Sequence, residues 1–121
     1  MAITKQSVDI LAATSVPAGT TSAAPVTGNS IDVRALNGGE WGYRIVNGAS
    51  APGVAATLVL QTSHDGATWF DYQVVSGNLN ASGVFSGSVP LGVGVMYARA
   101  IAYGNTTNGV TVSSVIQGRV G

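Results

Sequence analysis

Apolar and polar positions along this chain alternate over short runs and break at glycine. The clearest run is "VMYARAIAY", Val95–Tyr103, where Met96, Ala98, Ala100 and Ala102 fall on one side. Val95, Tyr97, Arg99, Ile101 and Tyr103 fall on the other, which is the two-residue period of a strand. Helical spacing is nearly absent. Asn-Gly, Pro-Gly and Asp-Gly pairs cut the chain at short intervals, and valine, threonine and tyrosine fill the gaps. The pattern predicts strands over Ile31–Leu36, Trp41–Asn47, Ala55–Ser63, Thr68–Val75, Val84–Val89, Val95–Tyr103 and Val110–Val120.

An earlier apolar piece, Val8–Ala13, is followed by "SVPAGTTSAAPVTGN", which has two prolines and no clear period. Residues 1–28 therefore read as an extended N-terminal arm and residues 29–121 as the folded domain. With the arm's own piece the count is about eight strands, enough for two packed sheets. The expected class is all-β: an antiparallel β-sandwich of immunoglobulin-like or jelly-roll type.

The orientation of Val95–Tyr103 is open at this level. With the alanines inward, two sheets approach closely, Met96 fills a gap, and Tyr97, Arg99 and Tyr103 form an outward stripe suited to a subunit contact. With the tyrosines inward, Arg99 is paired or reaches the rim.

"QTSHDGATWFDY" (Gln61–Tyr72) gathers the single histidine, His64, with Asp65 and Asp71. Such crowding suggests acid–base chemistry, but Asp65 falls at a bend and Asp71 in a strand, so they need not converge. Asp65-Gly66 suits a hairpin: glycine accepts positive φ, and the aspartate can accept N–H groups across the turn, with Ser63 and Thr68 tying its ends. Trp69 is expected in the core, and His64 at the exposed tip.

Composition narrows the partners. Charged residues make up 8% of the 121 residues, against about 25% in ordinary domains. Lys and Arg balance Asp and Glu, five against five, and the arginines are scattered singly, which argues against nucleic-acid binding. A neutral surface of small residues favours association. No apolar run is long enough to span a membrane, and Asp9 interrupts the start, making it a poor signal peptide. Cysteine is absent and histidine single, so no cofactor or metal is expected. No nucleophile elbow, P-loop or dinucleotide fingerprint occurs, and no catalytic set is expected.

"SHDGATW" (Ser63–Trp69) resembles the Asp-box of sialidase-like propellers, but it is one residue short and appears once, not once per blade. A broader resemblance covers roughly residues 55–120: "TLVLQTSHDGATWFDY", then "VMYARAIAY", then "VTVSSVIQGRV". In that order these resemble the small β-sandwich structural proteins of tailed bacteriophages, of capsid decoration (cement) or head-fibre type. The resemblance implies a non-enzymatic virion protein on the outer capsid surface, bound to the major capsid protein and to copies of itself, often as a homo-trimer. Ile3, Val8, Ile10 and Leu11 of the arm would then lie on the capsid or a neighbouring subunit, with Tyr97, Arg99 and Tyr103 at a further contact. The alternative is a carbohydrate- or receptor-binding module of a phage tail or secreted protein that uses Trp69, Trp41 or loop tyrosines as stacking platforms.

Overall fold

The computed structural model describes residues 4–120, which form strands, turns and loops and no helix. In chain order the strands are β1 (Thr4–Val16), β2 (Val26–Thr27), β3 (Ile31–Asp32), β4 (Gly39–Asn47) and β5 (Thr57–Ser63). The second half supplies β6 (Phe70–Ser76), β7 (Val84–Leu91), β8 (Tyr97–Tyr103) and β9 (Val110–Val120).

Their pairing is nested. β5 pairs with β6, β4 with β7, β2 and β3 with β8, and β1 with β9, all antiparallel. The chain thus resembles one long hairpin centred on the turn at His64–Trp69. Cross-pairing of β4 with β9 and β5 with β8 rolls that hairpin into two sheets, ordered β1-β9-β4-β7 and β2-β8-β5-β6, with β3 also on β8. This is the strand order of a jelly roll, which decides between the two expected sandwich types.

The core lies between the sheets and depends on size matching. Ala98, Ala100 and Ala102 of β8 are fully buried, and Leu58 and Leu60 of β5 and Val112 and Ile116 of β9 fill the space around them. Small residues at the centre let the sheets approach, and larger aliphatic ones occupy the flanks. The alanine side of β8 therefore faces inward. Met96 does not fill a core gap: it precedes β8 and is exposed. Trp41 is the largest fully buried side chain. Its indole N–H donates to Ser114 Oγ at 2.7 Å, and Ser114 Oγ donates to Gly42 O at 2.9 Å, so the buried donor is satisfied.

The N-terminal segment does not stand apart as an arm. β1 runs beside β9 from Thr4 opposite Val120 to Val16 opposite Val110, with register shifts after Asp9 and after Leu11. The first shift turns two consecutive side chains, Ile10 and Leu11, toward the core, where both are buried. Such bulges erase strict alternation, which is why Val8–Ala13 reads as an isolated apolar piece in the sequence.

Candidate functional site

The face opposite the core on the β2-β8-β5-β6 sheet carries a group of interacting aromatic and charged side chains. Alternation along β8 turns Tyr97, Arg99, Ile101 and Tyr103 outward, all half-buried. On β5, Val59 and Gln61 face the same way and are nearly covered, at 2% and 8% exposure. The register explains this: Val59 lies between Ile101 and Val74, and Gln61 between Arg99 and Asp71.

Arg99, Gln61 and Asp71 thus stand abreast on three strands. Arg99 Nε–H donates to Gln61 Oε1 at 2.8 Å, and the Gln61 amide donates onward to Asp71 Oδ1 at 3.0 Å. Trp69, just before β6, lies under the Arg99 guanidinium, 4.4 Å from ring centre to Cζ. Trp69 is therefore half-buried on the outer face and not a core residue. The loop before β6 carries it to the outer face, where the Arg99 cation covers the ring. Burial pulls the Arg99 pKa below its ordinary value. Among the described residues the one ion pair is Arg34 with Asp32, at 2.7 Å, so no carboxylate contacts Arg99. At the start of β8, Arg34 lies 5.3 Å over the Tyr97 ring.

The hairpin holding Trp69 is built as its residue types require. Gly66 has φ of 78°, and Asp65 Oδ1 accepts from Ser63 Oγ and from the N–H groups of Ala67 and Thr68 at 2.8–3.0 Å. Ser63, fully buried, accepts from Gly66 N–H at 2.9 Å. These donors, Thr68 and Ala67 foremost, hold the Asp65 carboxyl down at about 2. Thr68 contributes its backbone N–H to the tie. His64 is exposed at the tip beside Phe70. Asp65 is taken up by the turn and Asp71 by Gln61, so the two carboxylates do not converge.

The other proposed contact residues are placed differently. Ile3 lies outside the described residues. Val8 is half-buried and packs against the core, and Ile10 and Leu11 are within it, so none of these three projects freely toward a partner. The sheet face unites Tyr97, Arg99 and Tyr103 with Gln61, Trp69 and Asp71, and the last three were not singled out for it. Their signal was the hairpin register, which places "QTSHDGATWFD" beside "YAR" only once both pairings of β5 are known.

The outside of the other sheet carries an open groove of about 520 Å³, walled by Ser7, Asp9, Arg44, Ser86, Ser113 and Gln117 among others. Serine hydroxyls share its lining with apolar residues such as Ala12, Ala13 and Val115, and among the described residues no ion pair joins Asp9 to Arg44.

No family model and no curated protein sequence matches this chain. Solved structures do match its fold. One is the VP2 subviral particle of infectious bursal disease virus, at TM-score 0.58 and 9% identity over 98% of this chain. This chain spans about a third, 33%, of that VP2 chain. Another is the K3 cleaved adhesin domain of Lys-gingipain from Porphyromonas gingivalis, at TM-score 0.57 and 11% identity over 87% of this chain and 72% of that one. A third, from the pili of Bacillus endospore appendages, has TM-score 0.51 and 13% identity over 98% of this chain and 87% of that one. At these identities the likeness is one of fold.

Proposed function

We propose that this chain is a non-enzymatic structural protein of a virus particle, a decoration protein that binds the outer surface of the capsid and stabilises it. The observation that carries the reading is the outer face of the β2-β8-β5-β6 sheet. A partly buried cation, Arg99, is held there in a fixed pose by Trp69 and Gln61 and, among the described residues, contacts no carboxylate. Tyr97 and Tyr103 flank it on the same strand. A rigid arginine among tyrosines, on a chain with few other charges, has the composition of an interface centre. A carboxylate of the major capsid protein would complete it. The likeness in fold to the VP2 subviral particle, over nearly the whole chain, supports a particle setting. Docking runs through this face and not through Ile10 and Leu11, which the core already uses.

Particles purified by density gradient from the cells that carry the gene provide the test. The chain is expected to band with them. Particles stripped of it should rebind the purified wild-type protein and not Arg99→Glu. Absence of the chain from such particles, or equal rebinding of the variant, overturns the reading.

A second reading, a glycan-binding module, has one specific observation in its favour: Trp69 is half-exposed on a sheet face instead of buried. A glycan array would decide it, with binding lost in Trp69→Ala supporting that reading and no binding by the wild type opposing it.

A further inference from the structure

Two arginines lie over aromatic rings on the outer side of the β2-β8-β5-β6 sheet, and their charges meet different fates. Arg34 lies over Tyr97, and Asp32 fills its fork: Nε–H donates to Oδ1 at 3.0 Å and Nη2–H to Oδ2 at 2.7 Å. That cation is neutralised within the chain. Arg99 lies over Trp69 and donates its Nε–H to the Gln61 amide oxygen at 2.8 Å. Among the described residues the N–H groups on its two Nη nitrogens make no hydrogen bond.

A carboxylate stands on the same row, but one strand too far away. The register places Arg99, Gln61 and Asp71 side by side, and neighbouring strands lie about 4.8 Å apart. Asp71 therefore reaches Gln61 and not Arg99. Opposite charges directly across a strand pair attract and close on each other, and here a neutral side chain takes the intervening place. Gln61 is 8% exposed, and both ends of its amide are used. An ionised carboxylate only accepts, so Asp71 Oδ1 takes the amide nitrogen, at 3.0 Å, and leaves the amide oxygen for Arg99. Asp71 thus sets the direction of the amide, and the amide sets the direction of Nε.

We propose that Gln61 is the specificity-determining residue of the docking face and that Asp71 is its positioning residue. The neutral amide holds Arg99 without cancelling its charge and reserves the Nη nitrogens for an external carboxylate, which can take two parallel hydrogen bonds at once. The inference rests on the reading of the Arg99 face as a docking surface and names the chemistry which that surface selects. A neutral hydrogen-bonding group would leave the charge unanswered, and a cation would be repelled.

A transposition tests it. Gln61→Glu together with Asp71→Asn keeps the net charge, the side-chain shapes and a hydrogen-bond partner for each member of the row, while moving the carboxylate next to Arg99. NMR signals of the Arg99 side chain in the free protein report both pose and binding. Sodium acetate serves as the carboxylate probe, and sodium chloride at equal ionic strength as the control. In the wild type the Arg99 Nε–H should be protected from exchange with water, and acetate should shift the guanidinium signals. The transposed variant should keep that protection and the wild-type urea midpoint, yet bind acetate about tenfold more weakly or not at all. Asp71→Asn alone lets the amide turn either way, so it should lose the protection that the transposition restores. Because Asp71 is exposed, this single variant keeps the test intact if the transposed chain fails to fold. A wild-type guanidinium that ignores acetate, equal acetate affinity in the transposed variant, or Nε–H protection unchanged in Asp71→Asn would each overturn the proposal. None of these measurements needs a particle, so a chain absent from particles would overturn the docking reading alone.

Discussion

The Arg99 guanidinium lies 4.4 Å from the centre of the Trp69 ring, on the face of the β2-β8-β5-β6 sheet that points away from the core. The contact ties the hairpin after β5 to the middle of β8 and fixes the direction of an otherwise flexible side chain.

The two tryptophans should accordingly differ in their contribution to stability. Trp69→Ala loses a cation–π contact and part of a half-buried ring, at a cost of about 1–2 kcal/mol. Trp41→Ala empties a fully buried site and removes the donor to Ser114 Oγ, which keeps its bond to Gly42 O, at a cost of about 3–5 kcal/mol. Urea unfolding of the two variants measures the difference directly.

Acid should loosen the hairpin tip before the sandwich. Asp65 titrates near 2 in the fold against an ordinary 3.8, because backbone N–H groups hold its ionised form. Its contribution is complete above the ordinary value and disappears as pH falls toward 2. Asp32, held at about 2 by its hydrogen bonds to Arg34, loses its contribution over the same window. Hydrogen exchange at Ala67 and Thr68, corrected for the intrinsic pH effect, should accelerate between these pH values. In Asp65→Asn that extra acceleration should be absent.

The alanine row of β8 should resist enlargement. Ala100 is fully buried where the sheets meet, so Ala100→Leu forces neighbours out of place at a cost of about 1–3 kcal/mol. Ile101→Leu, on the outer side of the same strand, should change the thermal midpoint little.

Much of this architecture was legible in the sequence, because alternation and turn residues act locally. The period of Val95–Tyr103, the Asp65-Gly66 bend and the punctuating glycines place most strands. What was not legible depends on long-range register. The bulges in β1 bury Ile10 beside Leu11 and conceal a long strand inside an apparent arm. Trp69 read as core because a tryptophan near a strand start usually is. Only the abreast placement of Gln61, Arg99 and Asp71 gives it an outward partner. Jelly-roll order likewise follows from which strands cross-pair, information that no single run of residues holds.

In the proposed function the chain docks its Tyr97–Arg99–Tyr103 face onto a particle. Electron cryomicroscopy of particles carrying the chain is the decisive test. Density for the sandwich is expected on the outer surface, with that face turned toward the shell and a carboxylate of the shell protein against Arg99. A sandwich bound with the Arg99 face open to solvent would contradict it.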